Sequence, residues 1–407
     1  MTPRSPLTSG RRAGAARGGV RRGQVLGFGT YDVRRHPRVG VLLAGLRRHG
    51  WAVTELTVPL ELGTDQRIAA LRGPLALAGA AVTAAGTWGR LVLSSRPLRR
   101  GPDPEVVVVG YLGHLDVLLA RRLFPASTLV LDHLTGAAET ARDRGVRGGV
   151  RLFLLDRLDR AATGAADVVV VDTEEQRAGL PAAARPRAVV IRVGAGDAWF
   201  VARRPADDVD PEAPLRVVWF GAYTPLHGAP VLARALALLA DRGVRLDVTL
   251  VGDGQDRDRA QELAPTADSA VRITWRDWVD PARLPDLVAA HDVAVGIVGD
   301  TPKARRVVPT KAFQSMAAGC ALVTADTPPQ RRLLGDDAVL VPPGDPETLA
   351  DALQALADDR PRVIALRAAA GARADRDFRA EAVVRPLVAL LGDPTAPEPE
   401  VLAHAAR

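Results

Sequence analysis

The sequence predicts two doubly wound, parallel-sheet α/β domains facing each other across a cleft. Three observations carry this. Short β-branched apolar runs alternate with helical stretches along most of the chain, the pattern restarts after a Pro- and Asp-rich stretch at 205–214, and glycines gather directly after the apolar runs. Near-continuous apolar strands separated by helices of roughly ten or more residues belong to a parallel sheet covered on both faces. At 407 residues the chain is long enough for two such units.

In the first half, strands are expected at 24–28, 52–58, 105–109, 128–131, 167–171 and 188–193. Residues 37–48 read as a helix because Val39, Leu42, Leu43 and Leu46 share one face, and 114–123 and 150–162 also read as helical. The longest uncharged run, 73–89, has 17 residues, mostly Ala, Gly, Leu and Thr. It is shorter than the roughly 20 strongly apolar residues of a membrane span and reads as a buried or interfacial helix, core packing being the main reading and peripheral membrane contact the alternative. In the second half, strands at 215–220, 246–251, 271–275, 293–298, 321–324 and 339–341 alternate with helices at 229–242, 255–263, 281–290 and 310–318. Another helix starts at Pro346, with Asp345 as its cap and Glu347 complementing its dipole. A terminal helix is expected at 383–391.

The predicted organisation is a basic tail at 1–23, a first domain at 24–204, a linker at 205–214 and a second domain at 215–378. A helix within 379–392 packs back on the first domain, and 393–407 form a flexible Pro/Glu-rich tail.

Composition narrows the function classes. With 47% hydrophobic and 25% charged residues the chain is globular. A single cysteine, Cys320, excludes an intrachain disulfide framework or a Cys-rich metal cluster, and no Asn is present to accept N-glycosylation. The net charge is +7, but residues 1–23 contribute six arginines and no acid, which leaves the remainder near +1. That tail lacks the apolar core of a secretory signal. A nearly neutral folded part with 4% aromatic residues is a poor nucleic-acid binder. The expected location is the cytoplasm, with peripheral contact at the inner face of the membrane left open.

Only two of the 54 basic residues are lysines, Lys303 and Lys311, eight positions apart. In a chain this biased towards arginine, they read as positions where a compact ammonium is required.

Ligands in open α/β sheets bind beyond the carboxyl ends of the strands. Gly27-Phe28-Gly29-Thr30 follows the first strand, without the G-x-G-x-x-G spacing of a dinucleotide site. His114 begins a helix just past the strand at 105–109, with Asp116 two residues on. It is a candidate for hydrogen bonding to a substrate hydroxyl, the alternative being a helix-capping or packing histidine. His133 is a poorer candidate, with no sign of an open loop around it. In the second half, Gly221–Gly228 and Gly252-Asp253-Gly254 are tight strand-to-helix turns. Lys303, Arg305, Arg306 and Lys311 lie within nine residues, four cations suited to a polyanion such as a diphosphate.

These residues resemble the GT-B glycosyltransferases, the retaining family-4 type, over about 24–392 and best in the second half. Residues 309–324 look like that family's donor-site helix and following strand, 220–228 like its G-x-x-x-x-K-G turn, and 251–254 like V-G-x-G. The resemblance implies two Rossmann-like domains and transfer of a sugar from a nucleotide-sugar donor to a glycan, lipid-linked or small-molecule acceptor, with no metal or other cofactor. It implies that Arg276 and Trp278 meet the base, and that Lys303, Arg306, Lys311, His227 and Gly228 meet the diphosphate, with Gly221 in the same turn. Gly29 and Thr30 approach the diphosphate from the acceptor domain. His114 is matched to the histidine that follows the family's fourth strand and contacts the transferred sugar. The family's paired glutamates, E-x7-E, are replaced here by Arg306 and Gln314. Gln314 retains hydrogen bonding to a ribose hydroxyl, whereas Arg306 accepts none. His227, where lysine is common, implies phosphate affinity that varies with pH near neutrality. The alternatives are a catalytically inert partner subunit of this fold and a sugar-nucleotide epimerase.

Overall fold

The structure, a computed structural model, describes residues 23–34, 36–60, 74–110, 113–143, 146 and 148–392. Residues 1–22 of the tail expected at 1–23, and all of the tail expected at 393–407, lie outside these residues, as do Tyr111 and Leu112 before His114.

The described residues form twelve strands: β1 (Gln24–Gly29), β2 (Ala52–Thr57), β3 (Val106–Val109), β4 (Thr128–Asp132), β5 (Val168–Val171), β6 (Ala188–Val190), β7 (Leu215–Phe220), β8 (Leu246–Val251), β9 (Val271–Arg276), β10 (Val293–Val295), β11 (Ala321–Ala325) and β12 (Val339–Val341). They form two six-stranded sheets, ordered β2-β1-β3-β4-β5-β6 and β12-β11-β10-β7-β8-β9. Every pairing is parallel. The molecule is therefore two Rossmann-like α/β domains. The central strands explain the sequence pattern: β3 is four consecutive valines, all buried, because helices cover both of its faces.

One face of the first sheet packs on the helix Pro37–Arg48 and the other on the helices His114–Leu123 and Gly149–Ala165. The chain returns after Phe378, and Ala380, Val383, Val384, Leu387 and Val388 pack in the first-domain core beside Val39 and Leu42. Residues 205–214 are held against the second domain. Val209 is buried in its core, and the buried guanidinium of Arg367 donates to the carbonyls of Ala206 and Asp208.

The cap at Asp345 forms as the sequence implies, accepting from the backbone N–H of Glu347 and Thr348. The helix read at 73–89 differs. It runs Pro74–Ser95 and buries Thr87, Leu91 and Ser95, while Val82 and Leu93 are 74% and 52% exposed. It is a surface helix with one buried stripe, not one enclosed in the core. Among the described residues, no helix is long and apolar enough to cross a membrane.

The helix Arg360–Asp377 has no counterpart in the sequence reading. Its inward stripe is Val363, Ala370 and Ala374 around Arg367, too small and too charged to register as amphipathic.

Candidate functional site

Strand order reverses between β1 and β3 in the first sheet and between β7 and β10 in the second, so the loops after these strands border each sheet's own binding crevice. The turn after β1 is pinned by Asp116. Its Oδ2 accepts from the Thr30 backbone N–H at 2.7 Å and from the Thr30 hydroxyl at 2.9 Å, while its Oδ1 accepts from Trp88 Nε1 at 2.9 Å. Burial pushes the Asp116 carboxyl up, and these three hydrogen bonds pull it back.

The turn after β7 is built around glycine. Gly228 has φ +70°, and a Cβ there would lie 2.3 Å from the Gly299 backbone nitrogen. Only a residue without a side chain lets this turn close on the loop after β10. Beneath it lies Lys311, the second residue of the helix Thr310–Ala317. Lys311 is 5% exposed, its Nζ is 4.1 Å from the Trp219 ring centroid, and it has no hydrogen-bond partner among the described residues. Burial holds the Lys311 ammonium well below its usual pKa. A Cβ built on Gly221 would stand 3.3 Å from that Nζ, so Lys311 reaches up to the turn.

His227 caps the same cluster, its Nδ1 3.1 Å from the Thr224 hydroxyl. Burial, then Lys311 and Lys303, push its pKa well below the ordinary histidine value. The same two lysines that disfavour the His227 imidazolium are the groups nearest the turn that would meet an anion.

A pocket of about 500 Å³ opens between the domains. Lys303 and Arg306 stand on its second-domain wall, with His133, Glu139, Asp159 and Gln176 on the first-domain wall. Arg306 donates to Glu139 Oε1 at 2.5 Å, and the Thr173 hydroxyl donates to the Arg306 carbonyl at 2.6 Å. Arg305 is turned away, paired with Asp300 on the surface.

The histidine assignment changes. His114 follows the third strand, β3, and is 5% exposed behind the pocket, with Nε2 3.0 Å from Asp159 Oδ1. The fourth strand, β4, is followed by His133, which lines the pocket and meets the His114 ring edge-on at 5.3 Å. Burial, and then His114, push His133 down to about 4. Asp159 is raised by burial, but its close pairing with His114 and the hydrogen bonds from the N–H groups of Ala137 and Ala138 prevail and hold it below the usual carboxylate range. His133 carries the same signal as His114, a polar residue directly after a strand. Its sequence surroundings show no open loop, because the opposite wall of the pocket comes from a distant part of the chain.

Arg276 and Trp278 end β9 and begin the next loop, both exposed, Trp278 by 74%. Neither lines the pocket. Gln314 is half-buried on the same helix as Lys311. Among the described residues, no group of three or more His, Cys, Asp or Glu side chains is placed to hold a metal ion.

Residues 214–359 match the family described as Glycosyl transferases group 1. The chain is a glycosyltransferase with the GT-B fold. Among solved structures, the sucrose-phosphate synthase of Thermosynechococcus elongatus superposes with a TM-score of 0.62 at 16% identity, covering 91% of this chain and 98% of that one. HepE of Anabaena, solved in complex with UDP, gives 0.59 at 16% identity, over 90% and 99% of the two chains. The N-terminal domain of trehalose-6-phosphate phosphatase from Candida albicans gives 0.64 at 11% identity, over 93% and 99%. At these identities the likeness is one of fold. No curated protein matches in sequence. The matched stretch of the glycosyltransferase holds the Gly221–Gly228 turn, Lys303, Arg306, Lys311 and Gln314, whereas His114 and His133 lie outside it.

Proposed function

We propose that this glycosyltransferase takes a nucleotide-sugar donor whose diphosphate lies over the β7 turn. The observation that carries this is the buried Lys311 ammonium without a hydrogen-bond partner among the described residues. A buried, unpaired cation is costly, and an anion delivered to it recovers that cost. Lys303 and Arg306 on the adjoining pocket wall, with the backbone of the Gly221–Gly228 turn, complete the diphosphate cradle. HepE was solved with UDP and with UDP-glucose, and the same ligand class suits these groups. Arg276 and Trp278 flank the base, Gln314 hydrogen-bonds the ribose, and Gly29 and Thr30 close on the diphosphate from the first domain. His133 replaces His114 as the histidine beside the transferred sugar, and the His114 ring packs edge-on against it.

Transfer proceeds with retention. The bond from the anomeric carbon to the diphosphate breaks, and the leaving oxygen keeps the electron pair. The acceptor oxygen bonds to the same face, and its proton passes to the departing phosphate. The protein's share is positioning and stabilisation of charge on the leaving group, and no metal is assigned. The acceptor is a glycan, lipid-linked or small-molecule hydroxyl on the first-domain side. Contact with the inner face of a membrane is supported by the exposed Val82 and Leu93 of the helix Pro74–Ser95. Residues 66–102 around that helix carry six arginines and no acid, a complement to anionic lipid.

Incubation with radiolabelled sugar nucleotides and a lipid extract tests the proposal. Hydrolysis or transfer supports it, whereas nucleotide binding without turnover assigns the chain to ligand binding alone.

A further inference from the structure

The pocket lacks the carboxylate that the second domain would be expected to supply, because Arg306 occupies the position of a glutamate. A sugar ring presents hydroxyl hydrogens, and a guanidinium has no lone pair with which to accept them. Three carboxylates line the pocket: Glu139, Asp156 and Asp159. Asp156 is held by Arg142, at 3.2 and 2.9 Å from its two oxygens. Asp159 Oδ1 meets His114 and the Ala137 N–H, and its Oδ2 accepts from the Ala138 N–H. Glu139 alone has an oxygen to spare. Its Oε1 accepts from Arg306, while its Oε2 makes no hydrogen bond among the described residues.

We propose that Glu139, reaching across from the first domain and oriented by Arg306, is the carboxylate that binds the hydroxyl groups of the transferred sugar. The placement follows the donor's own order of groups. Lys311 and His227 mark the diphosphate end, Lys303 and Arg306 continue along the wall, and Glu139 stands beyond them in the pocket that His133 also lines. Glu139 is well shielded, with 16% of its side chain exposed, so a hydroxyl bonded to it is protected from competing water. It sits in the short helix Ala137–Asp143, whose first N–H groups are fixed by Asp159, so its backbone is anchored. The consequence is a donor site assembled from both domains: the second reads the nucleotide and the first reads the sugar.

This inference rests on the donor-site reading above, and one experiment separates the two. The full-length protein and its Glu139→Gln and Glu139→Asp variants are titrated calorimetrically with UDP and UDP-glucose, and with GDP and GDP-mannose. For whichever pair binds the wild type, Glu139→Gln lowers the affinity for the sugar nucleotide relative to that for the nucleoside diphosphate about tenfold or more, whatever shift the released Arg306 gives both ligands alike. Glu139→Asp, which keeps the charge but shortens the reach, falls between, and gives the same readout if the Gln variant does not fold. Equal weakening of both ligands, or no weakening of either, overturns the sugar-binding role while leaving the donor site standing. A wild type that binds neither pair removes the donor-site reading itself.

Discussion

Replacing Lys311 with methionine separates a structural lysine from a ligand-binding one. In the free protein the ammonium gains a cation–π contact with Trp219, with Nζ 4.1 Å from the ring centroid, worth roughly 0.5–2 kcal/mol. Against this stands the desolvation of a fully buried, unpaired cation, which costs several kcal/mol and depresses its pKa. Methionine fills similar volume with no charge, so Lys311→Met should be as stable as the wild type or gain about 1–3 kcal/mol in urea unfolding. Binding should move the other way. A charge-assisted hydrogen bond contributes about 1.5–3 kcal/mol, so affinity for a nucleoside diphosphate falls roughly 10–150-fold in calorimetric titration. The wild type should also take up a proton on binding, because the diphosphate raises the depressed Lys311 pKa. Its affinity therefore declines as pH rises through the free-state pKa of that lysine, and Lys311→Met loses this dependence. A variant that unfolds much more readily yet binds the diphosphate normally would refute the reasoning.

Other outcomes follow from the same geometry. Gly228→Ala forces a side chain into φ +70° with its Cβ 2.3 Å from the Gly299 nitrogen, and should lose about 2 kcal/mol or more of unfolding free energy together with diphosphate binding. Asp172 is pushed up to about 7 by burial, reinforced by Asp132 and Glu139 and opposed by Arg38. With the folded-state pKa above the unfolded one, its favourable contribution is complete below about pH 4 and is lost as pH rises towards 7. Asp172→Asn should thus be little changed at pH 4 and more stable by a few kcal/mol at pH 8, read as a melting-temperature difference that widens with pH. Arg38→Met leaves the Asp132 carboxylate buried without its ion-pair partner at 2.7 Å, and should cost roughly 3–5 kcal/mol in urea unfolding.

The sheets were legible because their strands are continuous apolar runs such as β3 and β11, and nothing in a buried parallel strand competes with that signal. The second-domain cations were legible because Lys303 and Lys311 stand out in an arginine-rich chain. What escaped depended on the approach of distant segments. His133 looked enclosed because the pocket it lines is closed by Lys303 and Arg306, contributed by the other domain. Glu139 gave no signal, since it lies in an unremarked run of small residues and gains its meaning only from Arg306, 167 positions away. Local counting also misread the basic loop. Arg305 sits beside Arg306 in sequence yet pairs with Asp300 on the surface.

The central claim is that the β7 turn, Lys311 and Lys303 neutralise a pyrophosphate, and comparing uridine with UDP, and guanosine with GDP, in thermal melting of the wild-type protein tests it most directly. One diphosphate should raise the melting temperature while its nucleoside leaves it unchanged, and added salt should shrink the shift. Equal shifts from nucleoside and diphosphate, or none from either, would contradict it.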